Sequence, residues 1–271
     1  MPELPEVETT RRGIIPYVAD QLIKQIILRH KTLRWKIPEE IVNLLPGKRV
    51  LSVERRAKYL LFKMKAGTLI LHLGMSGSLR VLTENIAPGK HDHVDIVMAN
   101  KVILRYTDPR RFGALLWTQD DINKHPLFEH LGVEPLSKLL TSAYLFSQAR
   151  RRKIAVKSFI MDNKVLVGVG NIYATEALFS AGIKPQKAAN EISKAQWNTL
   201  IQEIQRILKA AIKKGGTTLK DFTRSDGKPG YFVQQLQVYG RAKKPCIQCG
   251  KLLAHARIGQ RNTVFCLNCQ E

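Results

Sequence analysis

The 271 residues hold 44 Lys and Arg against 22 Asp and Glu, a formal charge of +22 with a pI near 10.1, and 44% of them are hydrophobic. That length and apolar content exclude a disordered tail and allow two or three domains with buried cores. The charge excess repels itself in a compact state unless a polyanion is the partner. Nucleic acid comes first, because cations that meet phosphates release condensed counterions. The uncharged run Val165 to Thr175 is 11 residues broken by Gly168, Gly170 and Asn171, too short to span a bilayer. The first thirty residues carry Glu3, Glu6 and Glu8 and lack a signal peptide's apolar centre. An intracellular protein without a membrane partner is expected.

The chain opens Met1-Pro2-Glu3-Leu4-Pro5-Glu6. A small residue after the initiator permits removal of Met1, leaving Pro2 with a free secondary amine. An α-amino group titrates near pH 8, so part of it is neutral and nucleophilic at cellular pH. Attack by a secondary amine on a sugar carbonyl carbon ends in an iminium, an electron sink that labilises neighbouring bonds. Glu3 beside it can move protons. A frayed and inert terminus is the plain alternative.

Residues 3–18 read as helix, with Leu4, Val7, Ile14, Ile15 and Val18 about one face apart. From about Val50 the pattern turns to strand. Tyr59 to Met64, Thr68 to Leu73, Val94 to Met98 and Val102 to Tyr106 are short β-rich runs separated by turn signals, as in a sandwich or barrel. Arg55-Arg56-Ala57-Lys58-Tyr59 begins a strand, and alternation places Lys58 on a definable face. Lys58 there is a phosphate contact, a solvated cation, or a proton donor whose pKa neighbouring cations lower. Leu71-His72-Leu73-Gly74-Met75-Ser76-Gly77 puts a flexible Met on a Gly-bounded loop, and Asp108-Pro109-Arg110-Arg111-Phe112-Gly113 puts Arg beside Phe after a strand. Met and Phe either pack in a core or wedge between bases.

After Gly132-Val133-Glu134-Pro135 the character becomes helical. Gly168 to Ala174 ends a turn and starts a helix, with Asn171 placed to cap it or to meet phosphate. No Gly-Lys-Ser/Thr follows, so a nucleotide P-loop is not supported. Ser193 to Lys214 is the clearest helix. Trp197, Leu200, Ile201, Ile204, Ile207, Leu208, Ala211 and Ile212 form its apolar face, Ser193 and Gln196 have capping-box spacing, and Gly215-Gly216 stops it. The basic, Gly-rich stretch Thr217 to Tyr231 is long for a plain connection.

All four cysteines fall at the end: Cys246-x2-Cys249, 16 residues, then Cys266-x2-Cys269. In an intracellular chain this spacing reads as a tetrahedral structural zinc site. Disulfides need an oxidising compartment, and a redox pair does not explain two copies. Arg257, Gln260 and Arg261 lie between the pairs. Arg261 either grips phosphate from a β-turn or is a solvated turn residue.

Together these stretches closely resemble the formamidopyrimidine-DNA glycosylase family. MPELPEVETTRRG, RRAKYLL, HLGMSGSLR, KHDHVD, DPRRFG, MDNKVLVGVGNIYA, CIQCG and GQRNTVFCLNCQ carry the likeness from end to end. The sister branch, endonuclease VIII, typically has Gly where Leu4 stands. The resemblance implies an α+β multidomain chain: an N-terminal β-sandwich flanked by helices (1–130), a helix-two-turn-helix domain (131–225), and a loop with a C-terminal zinc-finger β-hairpin (226–271). DNA would lie in the cleft between domains.

It further implies base-excision repair. Oxidised purines such as 8-oxoguanine and formamidopyrimidines are released from duplex DNA, and an AP lyase step follows by β,δ-elimination through a Pro2 Schiff base. Pro2 attacks C1′, Glu3 moves protons at the sugar, and Lys58 serves proton donation and lesion handling. Met75, Arg110 and Phe112 fill the gap left by a flipped base, and His91, Lys153 and Asn171 contact DNA. Arg261 holds a backbone phosphate and serves the final elimination. Cys246, Cys249, Cys266 and Cys269 hold one structural Zn2+, and 217–231 closes over the lesion. A monomer in the bacterial cytoplasm, on the nucleoid and on damaged double-stranded DNA, is the expected state. The rivals are a glycosylase for oxidised pyrimidines and a non-catalytic zinc-ribbon binder, which would give Pro2, Glu3 and Lys58 no role. Asn262 where the family usually has Ser, Leu267 where Pro is common, and the basic linker Arg241 to Lys244 are departures that touch no expected ligand.

Overall fold

The computed structural model describes residues 2–84, 86–217 and 232–271. They form two compact units: Met1–Glu129 with Ile212–Val233, and His130–Ala211 with Gln234–Glu271.

In the first unit, helix α1 (Leu4–Val18) precedes β1 (Ile23–Leu28) and the short α2 (Ile41–Leu44). Strands β2 (Ser52–Arg56), β3 (Tyr59–Met64), β4 (Gly67–His72), β5 (Ser78–Leu82), β6 (Asp92–Met98), β7 (Ile103–Thr107) and β8 (Ala114–Thr118) follow. They make two four-stranded antiparallel sheets, ordered β1-β6-β7-β5 and β2-β3-β4-β8. Phe62, Leu69, Leu71 and Leu115 of one sheet share a core with Ile26, Leu79, Ile96 and Leu104 of the other, and Val7, Ile14 and Val18 of α1 join it. This is the expected sandwich with a helix against it. The onset of strand near Val50 needs correcting, since β1 starts at Ile23. Its partner β6 lies some seventy residues downstream, where Leu28 pairs with Val94. A pairing so distant leaves little trace in local pattern. Leu60, Leu61 and Phe62 are buried in succession, so β3 is covered on both faces and reads as a continuous apolar run.

The second unit contains α3 (Ser142–Ala149), α4 (Val156–Ile160), α5 (Asn171–Ser180), most of α6 (Lys194–Lys213), and the hairpin β9 (Ala254–Ile258) with β10 (Arg261–Phe265). Ser193 and Gln196 form the expected reciprocal cap, each backbone N–H donating to the other's side chain at 3.1 Å. Trp197, Leu200, Ile204 and Leu208 are buried, with Phe159 against the Trp197 ring at 5.4 Å. Gly215 and Gly216 end α6 in left-handed backbone, φ 78° and 81°. No helix among the described residues is long and apolar enough to cross a membrane.

Candidate active site and nucleic-acid interface

Pro2 and Glu3 lead into α1 and are buried, Glu3 to 2% exposure, so this terminus is held rather than frayed. The holding group is Glu6. Its Oε2 accepts the Glu3 backbone N–H at 2.8 Å, and its Oε1 accepts the Thr217 N–H at 2.8 Å and the Thr217 hydroxyl at 3.0 Å. Gly216, whose added Cβ would come to 3.0 Å of Glu6 Oε1, lets that backbone approach. Gly216 also accepts the Phe232 N–H at 3.0 Å. One buried carboxylate therefore joins the start of the chain to one base of the basic, Gly-rich stretch. Residues 218–231 of that stretch lie outside the described residues, as does Met1.

Lys58 does not sit in a strand as alternation suggested. Arg56 pairs with Tyr59, so Ala57 and Lys58 are the two-residue tip of the β2–β3 hairpin, and Ala57 has φ 53°. Neither residue is a usual hairpin-tip type, which hid the turn in the sequence. His72 ends β4 opposite Tyr59, with the two rings 4.7 Å apart. Its Nδ1 accepts the Gly74 N–H at 3.0 Å, leaving Nε2 to carry the proton of a neutral ring. Burial, reinforced by the charges of Lys58 and Arg34, pulls its pKa down to about 4.

Met75, Arg110 and Phe112 come together. With Arg34, His72 and neighbouring backbone they line one cavity of about 670 Å³. Phe112 is 45% exposed, Met75 is half-buried, and the Arg110 guanidinium lies 4.8 Å over the Phe112 ring. Neither Met75 nor Phe112 is a core residue. Their loops are fastened by Asp108, which is fully buried. Its Oδ1 accepts from the Ser76 hydroxyl at 2.6 Å and the Arg110 N–H at 3.3 Å, and its Oδ2 accepts from Gly113 N–H at 2.8 Å and the Tyr106 hydroxyl at 3.0 Å. His91 is exposed, and its carbonyl accepts the Asp108 N–H at 3.0 Å, which places it at the foot of the same loop.

In the second unit Asn171 is the first residue of α5, and Gly170 occupies the cap position where a capping Asn171 was an alternative. The Asn171 side chain is used elsewhere: its Nδ2 donates to the Asn262 carbonyl at 3.2 Å and its Oδ1 accepts from Lys157 Nζ at 2.6 Å. Lys157, buried to 1% exposure, also donates to the Thr263 hydroxyl at 2.6 Å. Asn262 contributes here through its backbone, so the departure from Ser costs nothing at that contact. Arg261 follows a two-residue turn, Gly259-Gln260, with both φ positive at 51° and 64°. That is the turn type whose twist matches a hairpin, and it leaves Arg261 exposed at the strand's start. Lys153 is exposed ahead of α4.

The four Cys Sγ atoms lie within 4.8 Å of one another, with Cys249–Cys266 at 3.5 Å and Cys246–Cys269 at 3.9 Å. A tetrahedron of sulfurs at a Zn–S distance of about 2.3 Å spaces them by about 3.8 Å. The donors fit one structural zinc and leave no open position for chemistry. Phe179, Val238, Leu253 and Val264 pack around them.

Glu6, His72, Asp108 and Lys157 were given no role in the sequence reading. Each works through a partner distant in the chain, and only Lys157 stood outside the stretches already singled out.

A sandwich, a helical unit and a four-cysteine hairpin displaying Arg261 define a zinc-finger, nucleic-acid-binding class of protein. Three family models cover nearly the whole chain: the formamidopyrimidine-DNA glycosylase N-terminal domain at residues 1–115, the H2TH domain of that enzyme at 131–223, and the zinc finger found in FPG and IleRS at 243–271. The chain is 56% identical over 270 residues to the formamidopyrimidine-DNA glycosylases of Pseudomonas putida and Yersinia pseudotuberculosis, covering 100% of each chain. Among solved structures it matches the MutM (Fpg) protein of Thermus thermophilus with TM-score 0.88 at 35% identity, covering 99% of this chain and 98% of that one. It matches Lactococcus lactis Fpg in complex with N7-benzyl-Fapy-dG DNA with TM-score 0.91 at 32% identity, covering 100% of both. The chain belongs to the formamidopyrimidine-DNA glycosylase family.

Proposed function

We propose that the protein excises oxidised purines from duplex DNA and then cleaves the strand as an AP lyase. The observation that carries this is the held N-terminus: Pro2 and Glu3 are buried and fixed through Glu6, which an inert terminus would not need. With Met1 removed, the Pro2 nitrogen attacks C1′, the glycosidic bond breaks, and the base leaves protonated. Loss of the ring-oxygen bond gives an iminium. Proton removal at C2′ then expels the 3′ phosphate, a second elimination expels the 5′ phosphate, and hydrolysis restores the amine. Glu3 carries protons at the sugar and Lys58 serves proton donation at the lesion. Met75, Arg110 and Phe112 fill the space of the everted base, offsetting a few kcal/mol of unstacking. His91, Lys153, Asn171 and Arg261 hold backbone, and Arg261 serves the last elimination. The division 1–130, 131–225 and 226–271 is kept as the functional one. The site of action is the bacterial nucleoid, as a cytoplasmic monomer, in keeping with the +22 charge.

A second reading concerns lesion range. One similar structure is of Lactococcus lactis Fpg with an oxidised-pyrimidine DNA, which supports acceptance of such lesions here too. Borohydride reduction on 8-oxoguanine duplex tests the main reading. The covalent adduct is expected at residue 2, and undiminished trapping after replacing Pro2 would overturn the assignment. Release of 8-oxoguanine and an oxidised pyrimidine, each opposite cytosine, ranks the two lesion classes.

A further inference from the structure

Helix α1 begins beside Pro2, and Glu8 lies on it five residues beyond Glu3, about 7.5 Å along its axis. Glu8 is 8% exposed and gathers three arginines. Its Oε1 accepts from Arg11 Nη2 and Arg12 Nε, both at 2.8 Å, and its Oε2 accepts from Arg11 Nε at 2.9 Å and Arg55 Nε at 3.3 Å. These cations hold its carboxyl below the usual range against the opposing effect of burial. Arg11 and Arg12 stay on the helix, and Arg11 reaches the Val53 carbonyl of β2 at 3.2 Å. Arg55 does something different. Its Nη1 donates to the Ala57 carbonyl at 2.9 Å.

That carbonyl belongs to the Ala57–Lys58 peptide at the hairpin tip. A peptide is planar, so fixing the oxygen fixes the Lys58 nitrogen with it. Ala57 is buried to 3% exposure in left-handed backbone, a conformation unfavourable for a non-glycine that surrounding contacts must hold. The chain Glu8–Arg55–Ala57 therefore runs from the helix that carries Pro2 to the backbone that carries Lys58.

We propose that Glu8 and Arg55 are positioning residues that set Lys58 in register with Pro2 for base release. This rests on the role given to Lys58 above. Neither residue reacts; each acts through the hairpin tip.

Single-turnover release of 8-oxoguanine by Glu8→Gln, Arg55→Lys, Lys58→Ala and the double variant Glu8→Gln/Lys58→Ala tests it, alongside borohydride trapping on preformed abasic duplex. Glu8→Gln keeps the shape but loses the charge, and Arg55→Lys cannot reach carboxylate and carbonyl together. Each is expected to slow base release by up to about a hundredfold, as misplacement of a reacting group does. KM for duplex and abasic-site trapping should hold, which reports an intact fold and Pro2. The double variant should be no slower than Lys58→Ala alone, because the two act as one unit. Additive losses, a proportional fall in trapping, or an unchanged release rate in Glu8→Gln would each overturn the proposal. Parental release by Lys58→Ala would instead remove the role of Lys58 and the proposal with it, an outcome distinct from impairment in Lys58→Ala alone.

Discussion

Lys157 Nζ lies 2.6 Å from Thr263 Oγ1, across more than a hundred residues of sequence. The bond ties the helix before Asn171 to the strand after Arg261, and the same ammonium holds the Asn171 side chain at 2.6 Å. Burying a lysine to 1% exposure carries a desolvation cost, which hydrogen bonds to groups such as these offset. Lys157→Met fills the space without donors. We expect a stability loss of about 1–3 kcal/mol, the cost of leaving buried polar partners unmade. Zinc content should stay at one per chain while affinity for duplex falls. Metal analysis, thermal melting and duplex titration check this, and unchanged affinity would deny the hairpin's dependence on Lys157.

Asp108 serves the two loops that carry Met75 and Phe112 as Lys157 serves the hairpin. It takes four donors, two on each oxygen, linking Ser76 beside Met75 to the backbone on both sides of Phe112. Asp108→Asn turns one acceptor into an NH2 group that faces donors, at a cost of about 1–3 kcal/mol. Base eversion, read by a fluorescent base analogue beside the lesion, should slow, while affinity for undamaged duplex holds. Eversion at the parental rate would show that the loops keep their shape without the carboxylate.

His72 gives a pH signature. Its folded pKa, near 4, lies below the usual value of about 6.5 for an unfolded histidine. Between these values the unfolded chain binds a proton that the native ring refuses, so acid favours unfolding. This group contributes a slope of up to about 1.4 kcal/mol per pH unit, with stability present above about 6.5 and lost as pH falls toward about 4. His72→Asn keeps an acceptor for the Gly74 N–H and cannot titrate. Denaturant midpoints for this variant should vary less across that window than those of the parent. Against the opposing effect of burial, arginines hold the Glu8 and Asp95 carboxyls low, and the Thr107 hydroxyl, the Gly89 N–H and then arginines hold that of Asp92 low. These groups lose their stabilising effect at lower pH still, as pH falls through the carboxylate range.

Removing zinc should unfold the finger and little else. Structural zinc contributes about 10 kcal/mol or more, beyond what the few apolar residues around the cysteines supply. A chelator, or Cys249→Ser, should expose the amides of Val264 and Phe265 to exchange, while those of β3 and β4 stay protected. Under the phosphate role proposed for Arg261, duplex affinity should fall with the hairpin. Protected β10 amides in the metal-free chain would contradict a zinc-dependent hairpin.

Spacing and composition settled what local rules govern. The two Cys-x2-Cys pairs specify a closed tetrahedral site whatever surrounds them, and α6 follows from its apolar period and its Ser193–Gln196 cap. The +22 charge names a polyanion, and a run of matching motifs names a family. The tertiary structure decided what depends on partners far apart in the chain. It made Ala57-Lys58 a hairpin tip, because β2 and β3 pair around it. It brought Met75 to Arg110 and Phe112, because one buried carboxylate needs donors from both loops. It joined Asn171 to the Arg261 hairpin through Lys157. A buried charge must find its hydrogen bonds wherever the fold offers them, and that requirement leaves no period in a sequence. Pro2 belongs to both accounts: the residue type that can offer a secondary amine once Met1 is removed is written in the sequence, while its fixed place at the head of α1 comes from Glu6.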